Sequence, residues 1–290
     1  MEGSALSQVV LPLVLGLIMF GMGMSLTKAD FTRLLHMPSS VVAGLIGQVL
    51  ILPLMAFTLV IMLALPVHLA IGIMVLASCP GGTTSNLISH IAKANLALSI
   101  SLTAITTLIC VITTPLVIQF SLNYFGVENA NFSLLQVTLG LMVISLCPVI
   151  IGLWVRHKFP AFALRQEALF RRIAVIFMLL LIAGISWQER HSLSESFPEV
   201  FIITIALNVA ATILGVLIAK WFKLSRKDGL TLGIEIGTQN ASMAILITLT
   251  FLNSPSYAIA CAVYGVTMYL GAIGLVVWNN TIQPKHSQQS

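Results

Sequence analysis

Residues 229–252 read GLTLGIEIGTQNASMAILITLTFL. The stretch is long and apolar enough to cross a bilayer, which takes about 20 residues of helix, yet its middle carries Glu235 and a Gln239-Asn240 pair. A carboxylate at that depth is costly unless something compensates it, so such residues mark ion or substrate pathways. The fold therefore has to be a membrane fold that gives Glu235 polar neighbours.

The rest of the chain fits that solvent. Of its 290 residues 58% are hydrophobic and 8% charged, with a mean hydropathy of +1.03, where soluble domains carry roughly 25% charged residues. Nine apolar stretches are long enough to span: residues 8–26, 40–65, 68–92, 95–123, 133–155, 169–188, 198–220, 229–252 and 255–279. Transmembrane β-strands would be about ten residues long and alternate in polarity; these runs are longer and continuously apolar, so the predicted class is an all-α integral membrane protein with nine transmembrane helices. The start, MEGSALSQVV, lacks the basic region of a signal peptide, and the first stretch is read as a true span. No separate soluble domain or long linker interrupts residues 1–290, a single membrane transporter domain, and residues 281–290 form a polar tail.

Charge placement orients the chain. Lys and Arg collect in cytoplasmic loops, and with the N-terminus outside, all of the 14 basic residues except Arg190 fall inside, as does the C-terminus. Five of the nine acids fall outside, Asp30, Glu167 and Asp228 lie inside beside bases, and Glu235 alone is left in the membrane. The net charge of +5 is thus accounted for by an inner face, without a nucleic-acid partner, and the expected location is the inner (plasma) membrane. Cys79, Cys110, Cys147 and Cys261 lie in apolar spans at unpatterned spacings, which fits neither a disulfide framework nor a zinc site. Of the six histidines only His68 and His90 approach a span.

Two spans are interrupted. The third contains SCPGGTTSN at 78–86, where Pro80, Gly81 and Gly82 cannot continue a regular helix. The eighth contains EIGTQNAS at 235–242. Unwound backbone at membrane depth must face protein or a polar cavity. The spans run in opposite directions, and paired interrupted segments of opposed orientation point to inverted repeats in secondary transporters, with the site where the repeats meet. Residues 127–290 would form a five-span repeat and residues 1–126 an inverted one of four spans. Each element alone has a bland explanation, since Pro and Gly are common in membrane helices and Ser, Thr, Asn and Gln serve as interhelical hydrogen-bond glue. Their coincidence with a lone acid is what that explanation leaves out.

At these residues the chain resembles the bile acid:sodium symporter family over nearly its whole length. The matching pieces are FGMGMSL at 20–26, CPGGTTSN at 79–86, NLALSISLT at 95–103 and EIGTQN at 235–240, in the same order and spacing. The resemblance implies core and panel domains, with two discontinuous helices crossing in the core and two Na+ ions behind the crossing. It assigns the first ion to Ser85, Asn86, Ser99, Thr103 and Glu235. The second goes to Gln48, Gln239 and Glu235, with backbone carbonyls of Ile236 and Thr238. It places substrate against Thr83 and Asn240, and secondarily Thr84. The chemistry agrees, because hard cations prefer oxygen ligands, and Ser99 and Thr103, four apart, share a helix face. Two departures stand out. Many bacterial relatives have ten spans, and this chain begins at the second. Met268-Tyr269 also stands where relatives often carry His-Asn.

The function these readings predict is sodium-coupled symport of an organic anion by alternating access, with a compact monocarboxylate such as pantoate or ketopantoate favoured over a bile-acid-like anion. Proton-coupled transport or antiport with Glu235 as carrier is a different class, and would make Gln48, Ser85, Asn86 and Gln239 dispensable. An intramembrane hydrolase would need a nucleophile with a base, or paired acids; no second buried acid is present, and no catalytic residue or obligate protein partner is expected. A passive channel explains neither the opposed breaks nor the lone carboxylate.

Overall fold

A computed structural model describes residues 9–33, 36–82, 84–127 and 132–282. The described chain is helical throughout: α1 (Leu11–Ser25), α2 (Lys28–Arg33), α3 (Pro38–Met62), α4 (Val67–Ser78), α5 (Thr84–Ile91), α6 (Leu96–Tyr124), α7 (Leu134–Lys158), α8 (Pro160–Gln188), α9 (Arg190–Trp221), α10 (Arg226–Gly237), α11 (Ala241–Phe251), α12 (Pro255–Thr267) and α13 (Tyr269–Ile282). Six helical stretches are long and apolar enough to cross a membrane by themselves: α3, α6, α7, α8, α9 and residues 255–279 of α12 and α13. α1, α4 and α11 are apolar but shorter. The chain is a multi-pass membrane protein, and its exposed surface agrees: Leu135, Val143, Leu180 and Trp154 are more than half exposed, which suits hydrocarbon and not water.

Helix ends follow local rules. Pro occupies the first turn of α1, α3, α8 and α12, where its missing N–H costs nothing. Asn95, Ser133, Ser225 and Asn240 each accept a hydrogen bond from a backbone N–H three residues on, the N-cap arrangement. Ala64, Lys93, Lys223 and Asn253 take left-handed φ just past the ends of α3, α5, α9 and α11, the usual C-terminal stop. The separations Ala64 to Lys223 and Lys93 to Asn253 nearly equal that of Gly81 to Gln239.

Two of the sequence boundaries shift. α8 and α9 begin well before residues 169 and 198 and take in the charged stretches there, so that Phe159 and Glu189 alone separate α7, α8 and α9. α1 packs closely on α7, where a Cβ at Gly23 would overlap the Val149 carbonyl and one at Gly152 that of Phe20. Small residues permit such backbone approach in membranes. α8 joins this pair, while α10 packs on α9 and α4 on α3, α6 and α12.

Candidate functional site

The two interruptions meet. Between α4 and α5 the chain is extended at Cys79–Gly82, and between α10 and α11 at Thr238–Asn240. Gly81 and Gln239 form an antiparallel β-bridge. Gly82 N donates to Thr238 O at 2.9 Å and Asn240 N to Pro80 O at 3.0 Å. Backbone groups freed by unwinding thus satisfy each other across the crossing, as they must where hydrocarbon offers no partners.

Glu235 lies one turn before this bridge, still inside α10 and 1% exposed. Ser99 Oγ lies 2.8 Å from Glu235 Oε2 and 2.8 Å from Asn86 Oδ1. Thr103 Oγ1 reaches Glu235 Oε1 and also Ser99 O. Each hydroxyl has one proton to donate, and each carboxylate oxygen has one hydroxyl beside it. Ser85 also stands beside the carboxylate; its hydroxyl donates to Gly82 O at 2.7 Å. Among the described residues no basic side chain pairs with Glu235. The close approach depends on Gly81, where a Cβ would lie 2.6 Å from Glu235 Oε1.

A second polar group gathers around Gln239 of the bridge. Gln48 Nε2 donates to Gln239 Oε1 at 2.7 Å and to Cys79 O at 3.2 Å, and Gln239 Nε2 donates to Ile236 O at 2.7 Å. Gln48 Oε1 and Thr238 Oγ1 are buried without a hydrogen-bond partner. Gln48 itself lies in a π-helical turn, Ile46–Ile51, within α3, and such bulges recur at functional sites.

Of the residues expected to meet substrate, Asn240 caps α11 through Met243 N at 3.0 Å. Thr84 opens α5, with the Tyr269 phenol beside it. Thr83 lies outside the described residues. Asn240 and Thr84 line a cavity of about 80 Å³ together with Gln239, Ser242 and Met268. It shares Ile18, Leu87, Arg171 and Ala174 with a larger cavity of about 320 Å³ that reaches Asn86, His90 and Glu167.

A family model described as "Sodium Bile acid symporter family" matches residues 12–196, well over half of the chain and including the first break. The chain belongs to this family. A symporter-family relative, the "Uncharacterized sodium-dependent transporter YocS" of Bacillus subtilis (strain 168), is 33% identical over 94% of this chain and 84% of its own. "Probable sodium/metabolite cotransporter BASS2, chloroplastic" of Oryza sativa subsp. japonica is 30% identical over 94% of this chain, which spans 65% of that protein. The "Ileal sodium/bile acid cotransporter" of Homo sapiens is 27% identical over 86% of this chain and 71% of its own. Family and relatives are sodium-dependent transporters, so this symporter-family chain is a transporter and not an enzyme.

Residues with no signal in the sequence also brace the two breaks. Asn208 donates to Gly237 O at 2.8 Å and Met268 O at 2.9 Å, and accepts from Gly271 N at 2.8 Å. Tyr264 OH donates to the same Gly237 carbonyl at 2.9 Å. At the first break Thr114 Oγ1 donates to Ser78 O at 2.5 Å. The last span is itself interrupted at Met268, between α12 and α13.

Proposed function

We propose that this chain is a secondary active symporter that couples inward movement of two sodium ions to uptake of a small organic anion. The all-oxygen surroundings of Glu235 carry this reading. A buried carboxylate met by the Ser99 and Thr103 hydroxyls, with Ser85 and Asn86 beside them and no basic side chain paired to it among the described residues, offers the oxygen ligands that a hard cation prefers. The first sodium would be held by Ser85, Asn86, Ser99, Thr103 and Glu235. The second would be held by Gln48, Gln239 and Glu235 with the carbonyls of Ile236 and Thr238, and the unpartnered Gln48 Oε1 and Thr238 Oγ1 support it. Two cations around one carboxylate leave net positive charge, which favours an anion.

The anion would dock beside the bridge, at Thr83 and Asn240, and secondarily at Thr84. Amides at the start of α11 would add partial positive charge there. The cavity at Asn240 and Thr84 holds about 80 Å³ and adjoins one of about 320 Å³, both at or below the low end of small-molecule sites, roughly 300–1,000 Å³, which favours a compact monocarboxylate such as pantoate over a bile acid.

The proposed architecture counts nine crossings: α1, α3, α4 with α5, α6, α7, α8, α9, α10 with α11, and α12 with α13, the N-terminus outside and the C-terminus cytoplasmic in the plasma membrane. α1, α7 and α8 would be the panel and the remainder the core. Residues 1–126 and 127–290 would be the inverted repeats, which the matched left-handed stops and the symmetric bridge support. Movement of core against panel around the crossing would give alternating access.

The test is melting of the purified protein in sodium against potassium. Sodium is expected to raise the melting temperature of the wild type, to leave Glu235→Ala unmoved, and to stabilise Gln239→Ala with about tenfold weaker apparent affinity, a loss of about 1.4 kcal/mol. Equal melting of the wild type in both salts sinks the sodium sites. Transport that follows pH and ignores sodium assigns Glu235 to proton coupling instead.

A further inference from the structure

The two cavities beside the crossing share one charged wall residue. Arg171, on α8, lines both the small cavity at Asn240 and Thr84 and the larger one that continues from it past Asn86 and His90. Among the described residues it is the one Lys or Arg lining either cavity, and Glu167 is the one acid. The pair is made within one helix turn: Arg171 Nη2 lies 3.3 Å from Glu167 Oε1, with the side chains 48% and 39% exposed. An ion pair this open to solvent is weak and exchangeable, and a guanidinium presents two parallel N–H groups to whichever carboxylate faces it.

We propose that Arg171 is a substrate-contact residue, whose guanidinium takes the carboxylate of the transported anion as it passes between the crossing and the larger cavity, with Glu167 as the internal competitor that holds Arg171 when no anion is bound. This rests on the anion-symport reading above. The placement adds a charged side chain to the positive charge that the proposed sodium ions leave at the crossing. Asn240 spends its side-chain oxygen capping α11, and Thr84 carries no charge, so neither side chain pairs with a carboxylate by charge. Arg171 lines the same space, on a helix that carries none of the oxygens around Glu235. Selection of the anion and binding of sodium are thereby assigned to different helices. Exchange of Glu167 for substrate also lets the anion leave, since the arginine is never left without a partner.

The experiment uses full-length protein in proteoliposomes with an imposed sodium gradient and radiolabelled pantoate as the probe, beside sodium-dependent melting of the same preparations. Arg171→Gln is expected to keep the wild-type sodium stabilisation while raising the KM for pantoate at least tenfold. Arg171→Lys, which keeps charge but not the two-pronged geometry, should fall between, and Glu167→Gln should lower KM several-fold by removing the competitor. A wild-type KM in Arg171→Gln overturns the assignment while leaving the symport reading intact. A KM raised equally in Glu167→Gln overturns the exchange and makes the pair a structural one. Absence of sodium-driven pantoate uptake in the wild type removes the substrate reading and this assignment with it, and sodium-dependent melting then shows separately whether the sodium sites stand.

Discussion

The two breaks are built alike and furnished differently. Each is three or four extended residues between half-helices, and each pairs with the other through the same bridge. Each also has the last carbonyls before the break held by side chains from two neighbouring helices. Gln48 of α3 and Thr114 of α6 hold Cys79 O and Ser78 O at the first; Asn208 of α9 and Tyr264 of α12 both hold Gly237 O at the second. The furnishing differs because the first break is Pro-Gly-Gly and the second is Thr-Gln-Asn preceded by the acid. The first break leaves room beside the carboxylate at Gly81, and the second is preceded by the carboxylate itself. A symmetric scaffold with two acids would bring two buried carboxylates to one crossing, where like charges oppose ionisation of both. With a single acid the crossing holds one carboxylate, which the proposed sodium ions would meet.

Gly81→Ala tests that division most severely. The added Cβ would sit 2.6 Å from Glu235 Oε1, closer than a carbon and an oxygen can approach. The carboxylate has to turn away from Ser99 and Thr103, or the bridge has to open. Sodium-driven uptake is expected to fall about a hundredfold, equivalent to about 2.7 kcal/mol, with sodium-dependent stabilisation lost. A variant that keeps its sodium response would show that the first break supplies more than room.

Asn208→Ala against Gln48→Ala separates scaffold from ligand. Asn208 serves three backbone groups with good geometry, and each buried group left unsatisfied costs about 1–3 kcal/mol. Gly237 O keeps Tyr264, so Met268 O and Gly271 N bear the loss. Asn208→Ala should therefore lower the melting temperature more than Gln48→Ala does in potassium. Gln48→Ala should lose more of the added stability in sodium, because it removes an oxygen that faces no protein donor. The opposite ranking in either salt breaks the comparison.

What is legible in the sequence follows from what stands out against an apolar background. A buried Glu, a Pro-Gly-Gly run and a Gln-Asn pair are local departures, and they lead to the two breaks, to their opposed directions and to the polar side chains that converge there. Asn208 and Tyr264 give no such signal, because their role exists only once α9 and α12 are packed against the end of α10. The interruption at Met268 is equally silent, since no Pro or Gly occupies the position and the freed groups are satisfied by Asn208 from another helix. Charge density misplaced the starts of α8 and α9 for a further reason: it marks where the lipid ends, whereas the helices run on into the charged stretches at 160–172 and 190–199. Charge counting places Arg171 only on the inner side, whereas helix α8 carries it to the wall of the cavities.

The smallest expected effect sharpens the symmetry most finely. Tyr264→Phe removes one donor from Gly237 O, which keeps Asn208 at 2.8 Å, so the carbonyl stays satisfied and the cost is that of one ordinary hydrogen bond, about 1 kcal/mol. Thr114→Val removes the side-chain donor from Ser78 O at nearly constant volume, and Gln48, bonded to the neighbouring Cys79 O, does not replace it, so the cost is that of a buried carbonyl left unsatisfied, about 1–3 kcal/mol. Tyr264→Phe is then expected to lower the melting temperature less than Thr114→Val, with neither changing the apparent sodium affinity, since neither hydroxyl hydrogen-bonds to Glu235. A sodium response that shifts in Tyr264→Phe alone would mean that α10 transmits the position of Gly237 O to the carboxylate two residues earlier, and that the second break is held in tension where the first is only held in place.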